Sequence, residues 1–352
     1  MEEIKKERVV TQKDVAKLAG VSPSVVSYVI NNGPRPVSED ARERVLSAID
    51  ELAYRPNRFA QQLMRNKWQS QDRNQFAVVL GGGPDNLERP FYSSVLAGIF
   101  EEARSQDRRV LSIQFLKDLA DPLLFNTLVE SRDIFGIMLL ALEPLQLNCE
   151  EIEVLDRIVE RFDNVITAER SWKNLPAVTV DLKEAGYIAT QHLCSLGHKN
   201  IAYIGTKDAR LDGYCQAIQE CSIGEENGAK FINPDNLNTY AFGHQSAEQI
   251  CNDFPQVTAV FAASDEVAIG ALRCLQSHDR PVPEKIALVS IDDVIQSAYM
   301  SPALTTVHIP THELGRRAVN LLVKRSQRNL ANMPDCFIPM ELIVRESCGA
   351  QA

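Results

Sequence analysis

The chain has 352 residues, 45% of them hydrophobic and 24% charged. That length suits two or three domains, and that composition suits a soluble globular protein rather than a disordered, collagenous or fibrous one. No apolar run approaches the ~18 residues of a membrane helix, and Met1-Glu2-Glu3-Ile4-Lys5-Lys6 has no apolar stretch behind it, so no membrane contact and no signal peptide are expected and the protein should work in the cytoplasm.

The net charge of −10 argues against nucleic acid until its distribution is considered. Residues 1–70 hold 12 Lys/Arg against 9 Asp/Glu, and the remainder holds 25 against 38. A mildly basic head on an acidic body suits a protein that offers only its head to a polyanion. The eight cysteines, from Cys149 to Cys348, form no C-x-x-C pair, which points to free thiols in a reducing compartment.

Thr11 is a good N-cap for a short helix through Val15-Ala16-Lys17-Leu18, with Asp14 in its positive first turn. Ala19-Gly20-Val21 stops that helix. Ser22-Pro23 starts a second, through Val25 to Ile30, which ends at Asn31-Asn32-Gly33. Ser38-Glu39-Asp40 caps a third, whose apolar face is Ala41, Val45, Ala48, Ile49 and Leu52. Two short helices joined by a tight turn, with a third in support, is helix-turn-helix geometry. With Val26, Val29 and Ile30 inward, Pro23, Ser24, Ser27 and Tyr28 point outward, where such a unit meets base edges. A three-helix bundle that binds a protein partner fits the same pattern.

From Phe76 onward, strands and helices alternate. Strands are expected at Phe76–Leu80, Val110–Ile113, Gly136–Leu140, Ile201–Gly205, Ala259–Ala262 and Ile286–Ile291. Helices are expected at Tyr92–Ser105, Leu123–Ser131, Lys183–Leu196, Gly213–Cys221, Gly243–Asn252 and Asp265–Ser277. This alternation predicts parallel sheets covered on both faces, in two series and hence two α/β lobes. Ligands of such sheets sit at the carboxyl ends of strands, in a cleft that facing lobes can close.

Several stretches of the chain resemble the LacI/GalR family of bacterial transcription regulators. The resemblance rests on Thr11-Gln12-Lys13-Asp14-Val15-Ala16-Lys17-Leu18-Ala19-Gly20-Val21-Ser22 and on Val37-Ser38 through Leu52-Ala53-Tyr54-Arg55-Pro56-Asn57. In the body it rests on landmarks such as Leu196-Gly197-His198, Arg210-Leu211-Asp212-Gly213-Tyr214 and Ile291-Asp292-Asp293. It implies an all-α helix-turn-helix head over 9–56, a hinge helix and linker over 57–75, and a two-lobed periplasmic-binding-protein-like core over 76–352. Lobe 1 would take about 76–175 and 304–332, and lobe 2 about 176–303 and 333–350, with crossings near Pro176, Pro302 and Met333. In the hinge, Leu63 would wedge into the minor groove of operator DNA.

The resemblance also implies site residues. Ser22, Ser27, Asn31, Tyr54 and Asn57 fall where the family contacts phosphates. Thr11, Pro23, Ser24, Tyr28 and Arg58 complete the expected DNA contacts. Members often carry Thr where this chain has Val25 and Arg where it has Tyr28, so a different DNA sequence preference is expected. Phe91, Tyr92, Glu169, Arg210, Asn238, Ser264 and Asp292 match effector-binding positions, an aromatic wall with converging charges that suits a sugar-like molecule. Arg210 and Asp292 could instead form a salt bridge between lobes.

The function implied is a homodimeric repressor of double-stranded operator DNA, controlled by a small-molecule effector. A purine-like or protein corepressor on the same fold, and an α/β enzyme with a fused DNA head, are the alternatives. Gly81-Gly82-Gly83 lacks the Lys-Ser/Thr of a P-loop, no G-x-S-x-G occurs, and Pro310 separates His308 from His312. Nothing therefore calls for a catalytic centre, a metal or a cofactor.

Overall fold

The computed structural model describes residues 10–31, 37–52, 54, 74–130, 134–143, 147–224, 228–234, 238–328 and 335–350. The chain forms two compact units, Met1–Gln71 and Asp72–Ala352.

In the first unit, α1 (Gln12–Ala19), α2 (Pro23–Asn31) and α3 (Glu39–Glu51) follow the helix signals of the sequence. Thr11 Oγ1 donates to Asp14 Oδ2 at 2.6 Å and the Thr11 N–H donates to the same oxygen at 2.8 Å, which fastens the start of α1. Gly20 ends it in the left-handed region at φ 64°, where a side chain would be strained. Val15, Ala16, Ala19, Val26, Val29, Val45, Ala48 and Tyr54 form the small core. So short a unit buries little apolar surface, and its polar helix caps matter correspondingly.

The second unit contains two six-stranded sheets. The first runs β11 (Cys336–Phe337), β5 (Ala177–Thr179), β4 (Val165–Glu169), β3 (Ile134–Leu140), β1 (Gln75–Leu80), β2 (Arg109–Phe115), all parallel. The second runs β12 (Glu341–Ile343), β10 (Thr305–His308), β9 (Ala287–Asp292), β8 (Ala259–Ala262), β6 (Ile201–Gly205), β7 (Lys230–Ile232), parallel except at β12. The inner strands are apolar throughout because helices cover both faces. One apolar cluster runs from Phe76 and Ile99 in the first lobe to Tyr203 and Ile291 in the second. All eight cysteines are free thiols.

The chain crosses between lobes later than expected each time. Ala177–Thr179 still pairs with β4, so the first crossing follows Thr179 rather than Pro176. Thr305–His308 pairs with β9 in the second lobe, so the second follows His308 rather than Pro302. Cys336–Phe337 pairs with β5, so the third lies between Phe337 and Glu341; the expected site at Met333 is outside the described residues. Prolines mark where regular structure breaks, whereas lobe membership is set by which strand edge accepts the next strand. The second and third joins do hold a proline, Pro310 and Pro339, but each lies several residues beyond the expected position.

Helices meet at close range. α4 (Pro90–Ser105) packs on α11 (Thr311–Arg328), α7 (Leu182–Ser195) on α8 (Ala209–Glu220), and α9 (Tyr240–Asp253) on α10 (Asp265–Ser277). A Cβ on Gly98 would lie 2.0 Å from the His312 carbonyl oxygen, and one on Gly315 would lie 2.1 Å from that of Val95. Gly186 with Gly213, and Gly243 with Gly270, repeat the arrangement in the other two pairs. Gly98→Ala should therefore destabilise the core by about 1–3 kcal/mol, as overpacking does. An ordinary helical Gly→Ala change has the opposite sign. A urea midpoint that rises in this variant would show that the helices do not touch there.

Candidate nucleic-acid interface and ligand cleft

The surface of the head follows from its core. Because Val26 and Val29 face inward, Ser22, Pro23 and Ser24 are exposed at the start of α2, and Ser27 and Tyr28 are half-buried on its flank. Ser22 Oγ accepts from the Val25 N–H at 3.4 Å, so that hydroxyl is already engaged as a cap. Thr11 is exposed, with its hydroxyl on Asp14. Asn31 is the last residue of α2. Tyr54 is only 9% exposed and sits in the core of the head. Burial pushes its phenol up, against a hydrogen bond with Gln12. Asn57, Arg58 and Leu63 lie outside the described residues, as does the expected hinge helix.

In the second unit, strand ends bring the expected effector residues between the lobes. Phe91 and Tyr92 open α4 behind β1, buried and edge-to-face at 5.2 Å. Glu169 ends β4 and Asp292 ends β9, and both have positive φ, 75° and 116°. Non-glycine residues hold such angles only where their surroundings enforce them. A pocket of ≈ 410 Å³ opens between the lobes, walled by Phe91 and Thr311 on one side and Asp292 and Val294 on the other.

Two expected contacts turn out to be committed within the protein. The Arg210 guanidinium is held inside its own lobe by Asp208, by the Ala263 carbonyl at 2.9 Å and by Thr206 Oγ1 at 3.2 Å. Its partner is thus Asp208, not Asp292. Asp208 lies two residues earlier and also caps α8, so the pair closes on itself locally. Ser264 is the N-cap of α10, its hydroxyl accepting from the Val267 N–H at 3.3 Å. Asn238 donates to Thr206 Oγ1 at 3.4 Å, and its buried Oδ1 has no partner among the described residues.

Around these lie Arg89, which the sequence did not single out as ligand-facing, and Arg170, which it paired with Glu169 at a strand end. Arg89, the residue before Pro90, reaches across to Glu266 on α10 at 2.7 Å and stacks 5.3 Å from the Tyr92 ring. Arg170 lies 3.2 Å from Glu143, 3.5 Å from Glu169 and 3.6 Å from Asp208 in the other lobe. Glu169 Oε2 and Arg170 Nε are buried, and neither has a hydrogen-bond partner among the described residues. The only available signal for Arg89 was position, since residues just past a strand's carboxyl end line the cleft of an α/β sheet.

The electrostatics follow from this crowding. Burial pushes the Glu169 carboxyl up to about 7, with Glu143 adding to the rise and Arg170 opposing it. Burial and then Asp265 push Asp292 well above the ordinary carboxylate range, against Arg210 and Arg89. Asp208 is buried too, but the Arg210 guanidinium holds it well below that range. Beneath the cleft, Asp265 accepts from Ser290, Ser297 and Thr306 hydroxyls and from the Val294 N–H at 2.8 Å. Those bonds fix the turn that follows Asp292.

Known proteins share this plan. Residues 11–57 match the family model described as bacterial regulatory proteins of the lacI family, and residues 190–348 match a periplasmic binding protein-like domain. The ribose operon repressor of Escherichia coli K12 is 31% identical over 329 residues, covering 90% of this chain and 92% of that protein. Among solved structures, a complex of the transcriptional regulator CelR with cellobiose is 27% identical, covering 96% of this chain and 99% of that one, with a TM-score of 0.66. A lac repressor dimer bound to operator and the anti-inducer ONPF is 24% identical, covering 97% and 100%, with a TM-score of 0.76. Among the described residues no helix is long and apolar enough to cross a membrane.

Proposed function

Because the chain belongs to the LacI family of bacterial regulatory proteins, we propose that it is a cytoplasmic, homodimeric repressor whose grip on operator DNA is set by a sugar-like effector between its lobes. The observation that carries this is a pair of buried acceptors, one from each lobe, that no described residue satisfies. Glu169 Oε2 and Asn238 Oδ1 are buried acceptors with no donor, a state that costs about 1–3 kcal/mol per group until a ligand supplies one. Phe91 and Tyr92 give the apolar wall that a sugar ring needs.

In this reading Phe91, Tyr92, Glu169, Asn238 and Asp292 touch the effector, while Arg210 and Ser264 hold the frame. On the head, Ser24, Ser27 and Tyr28 read base edges. Ser22, Asn31, Asn57 and Arg58 set register on phosphates, while Thr11, with both its donors on Asp14, holds the start of α1. Tyr54 acts from within, as a strut. Pro23 fixes the start of the reading helix, and Leu63 wedges the minor groove. Two heads on a near-palindromic site mirror a dimer axis. The support for a binding protein rather than an enzyme is that its relatives are regulators.

The test is selection of genomic fragments on the purified full-length protein. One short palindrome should be enriched, and Tyr28→Ala should weaken binding to it roughly 10- to 100-fold, the ~1–3 kcal/mol of a base-edge contact. Random enrichment, with and without a mixture of neutral, aminated and anionic sugars, would refute the reading.

A further inference from the structure

We propose that the effector of this cleft carries a positive charge: it is an amine-bearing polyol, for which an amino sugar is the simplest chemical class. The proposal rests on the reading of the cleft as an effector site and names what that site selects.

The argument is an inventory of charge. From the first lobe come Arg89, Glu143, Glu169 and Arg170. From the second come Asp208, Arg210, Asp265, Glu266 and Asp292. Each guanidinium already has a carboxylate of its own: Arg89 has Glu266 at 2.7 Å, Arg170 has Glu143 at 3.2 Å, and Arg210 has Asp208. Asp265 has its four donors. Glu169 and Asp292 are left over. Glu169 shares Arg170 with two other acids, and its Oε2 has no donor although the residue is only 6% exposed. Asp292 is 8% exposed, and its carboxylate accepts no hydrogen bond from any described residue.

The two leftover acids come from opposite walls, and both feel Arg89 and Arg210. Burial is the main cause that pushes both carboxyls up, so each tends to hold its proton, and the nearby arginines offset this only in part. A ligand ammonium would replace those protons with charge-assisted hydrogen bonds, roughly twice as strong as neutral ones. Sugar hydroxyls would satisfy the other orphan acceptor, Asn238 Oδ1. A phosphate or carboxylate would enter a cleft whose unpaired groups are acceptors and acids, with Arg170 Nε the one orphaned donor among these residues.

The experiment is calorimetric titration of the full-length protein on matched frames: glucose, galactose and mannose, each as hexose, 2-amino-2-deoxyhexose, hexose 6-phosphate and hexuronate. On at least one frame the amine should bind at least ~10-fold tighter than its parent hexose, about 1.4 kcal/mol. Glu169→Gln and Asp292→Asn should each erase that preference. Amine binding near pH 7 should also release protons, seen as a dependence of the heat on the buffer's ionisation enthalpy. Hexoses or anionic sugars that bind as tightly as their amines would overturn the cationic effector and leave the sugar site standing. No binding on any frame, or binding indifferent to both substitutions, would overturn the two together.

Discussion

Asp265→Ala is expected to lower the thermal midpoint of the two-lobed unit by about 10 °C. Its carboxylate lies beneath the cleft with no exposure to solvent and receives three hydroxyls and one backbone N–H. Removal strands those donors, and at ~1–3 kcal/mol for each that finds no new partner the loss reaches about 3–5 kcal/mol. For a unit of this size a kcal/mol moves the midpoint by about 2–4 °C. Asp265→Asn keeps an acceptor and should lose less. The same bonds hold Val294 and Ser297, so the alanine variant should also loosen Asp292 and weaken effector binding. Differential scanning calorimetry decides the first effect, and a shift below ~3 °C would mean the network relaxes without Asp265.

Arg210→Ala should be nearly as costly, and its signature is a pH dependence. Without the guanidinium, Asp208 keeps the Thr206 hydroxyl and the helix N–H, but its one charged partner among the described residues is Arg170 at 3.6 Å. Breaking a buried pair this way costs about 3–5 kcal/mol. In the parent, Asp208 titrates below its unfolded value. Its contribution is therefore present above about pH 4 and fades as pH falls through the folded value. In the variant, burial drives Asp208 the other way, so acid relieves the stranded charge. The stability gap between parent and variant should be wide at pH 7.5 and shrink toward pH 4 in urea unfolding. A constant gap would mean Arg210 contributes packing rather than charge. The effector response should also weaken, through loss of the frame around Thr206 and Asn238.

How far the sequence reaches depends on the distance over which a feature is written. Helices with a capping residue and a 3.6-residue stripe were readable, and Asp265–Ser277 ends where its pattern says. Apolar runs such as Ile201–Gly205 and Ala259–Ala262 were equally plain. Strands of two or three residues, β5, β11 and β12, are too short to show a period, so the lobe crossings they define were misplaced. The cleft was half legible. Glu169 and Asp292 could be found by resemblance, but Arg89 and Glu266 lie 177 positions apart and meet only because the two sheets fold toward each other. The commitment of Arg210 to Asp208 is local, two residues apart, yet nothing in the sequence says which acid a buried arginine will choose.

The glycine contacts give the core its mechanics. Where Gly98 meets His312 and Gly315 meets Val95, backbone rests on backbone, and no layer of side chains is left between the two helices to yield. α4 starts at the cleft with Phe91 and Tyr92 and is coupled along its length to α11, which begins just after a lobe crossing. It is a lever: 16 residues make a rod about 24 Å long, so a tilt of ~5° at the ligand end moves the far end by about 2 Å. Stiff rods on short joints deliver work instead of absorbing it. A ligand that tilts α4 at Phe91 and Tyr92 would therefore be felt at Ser105.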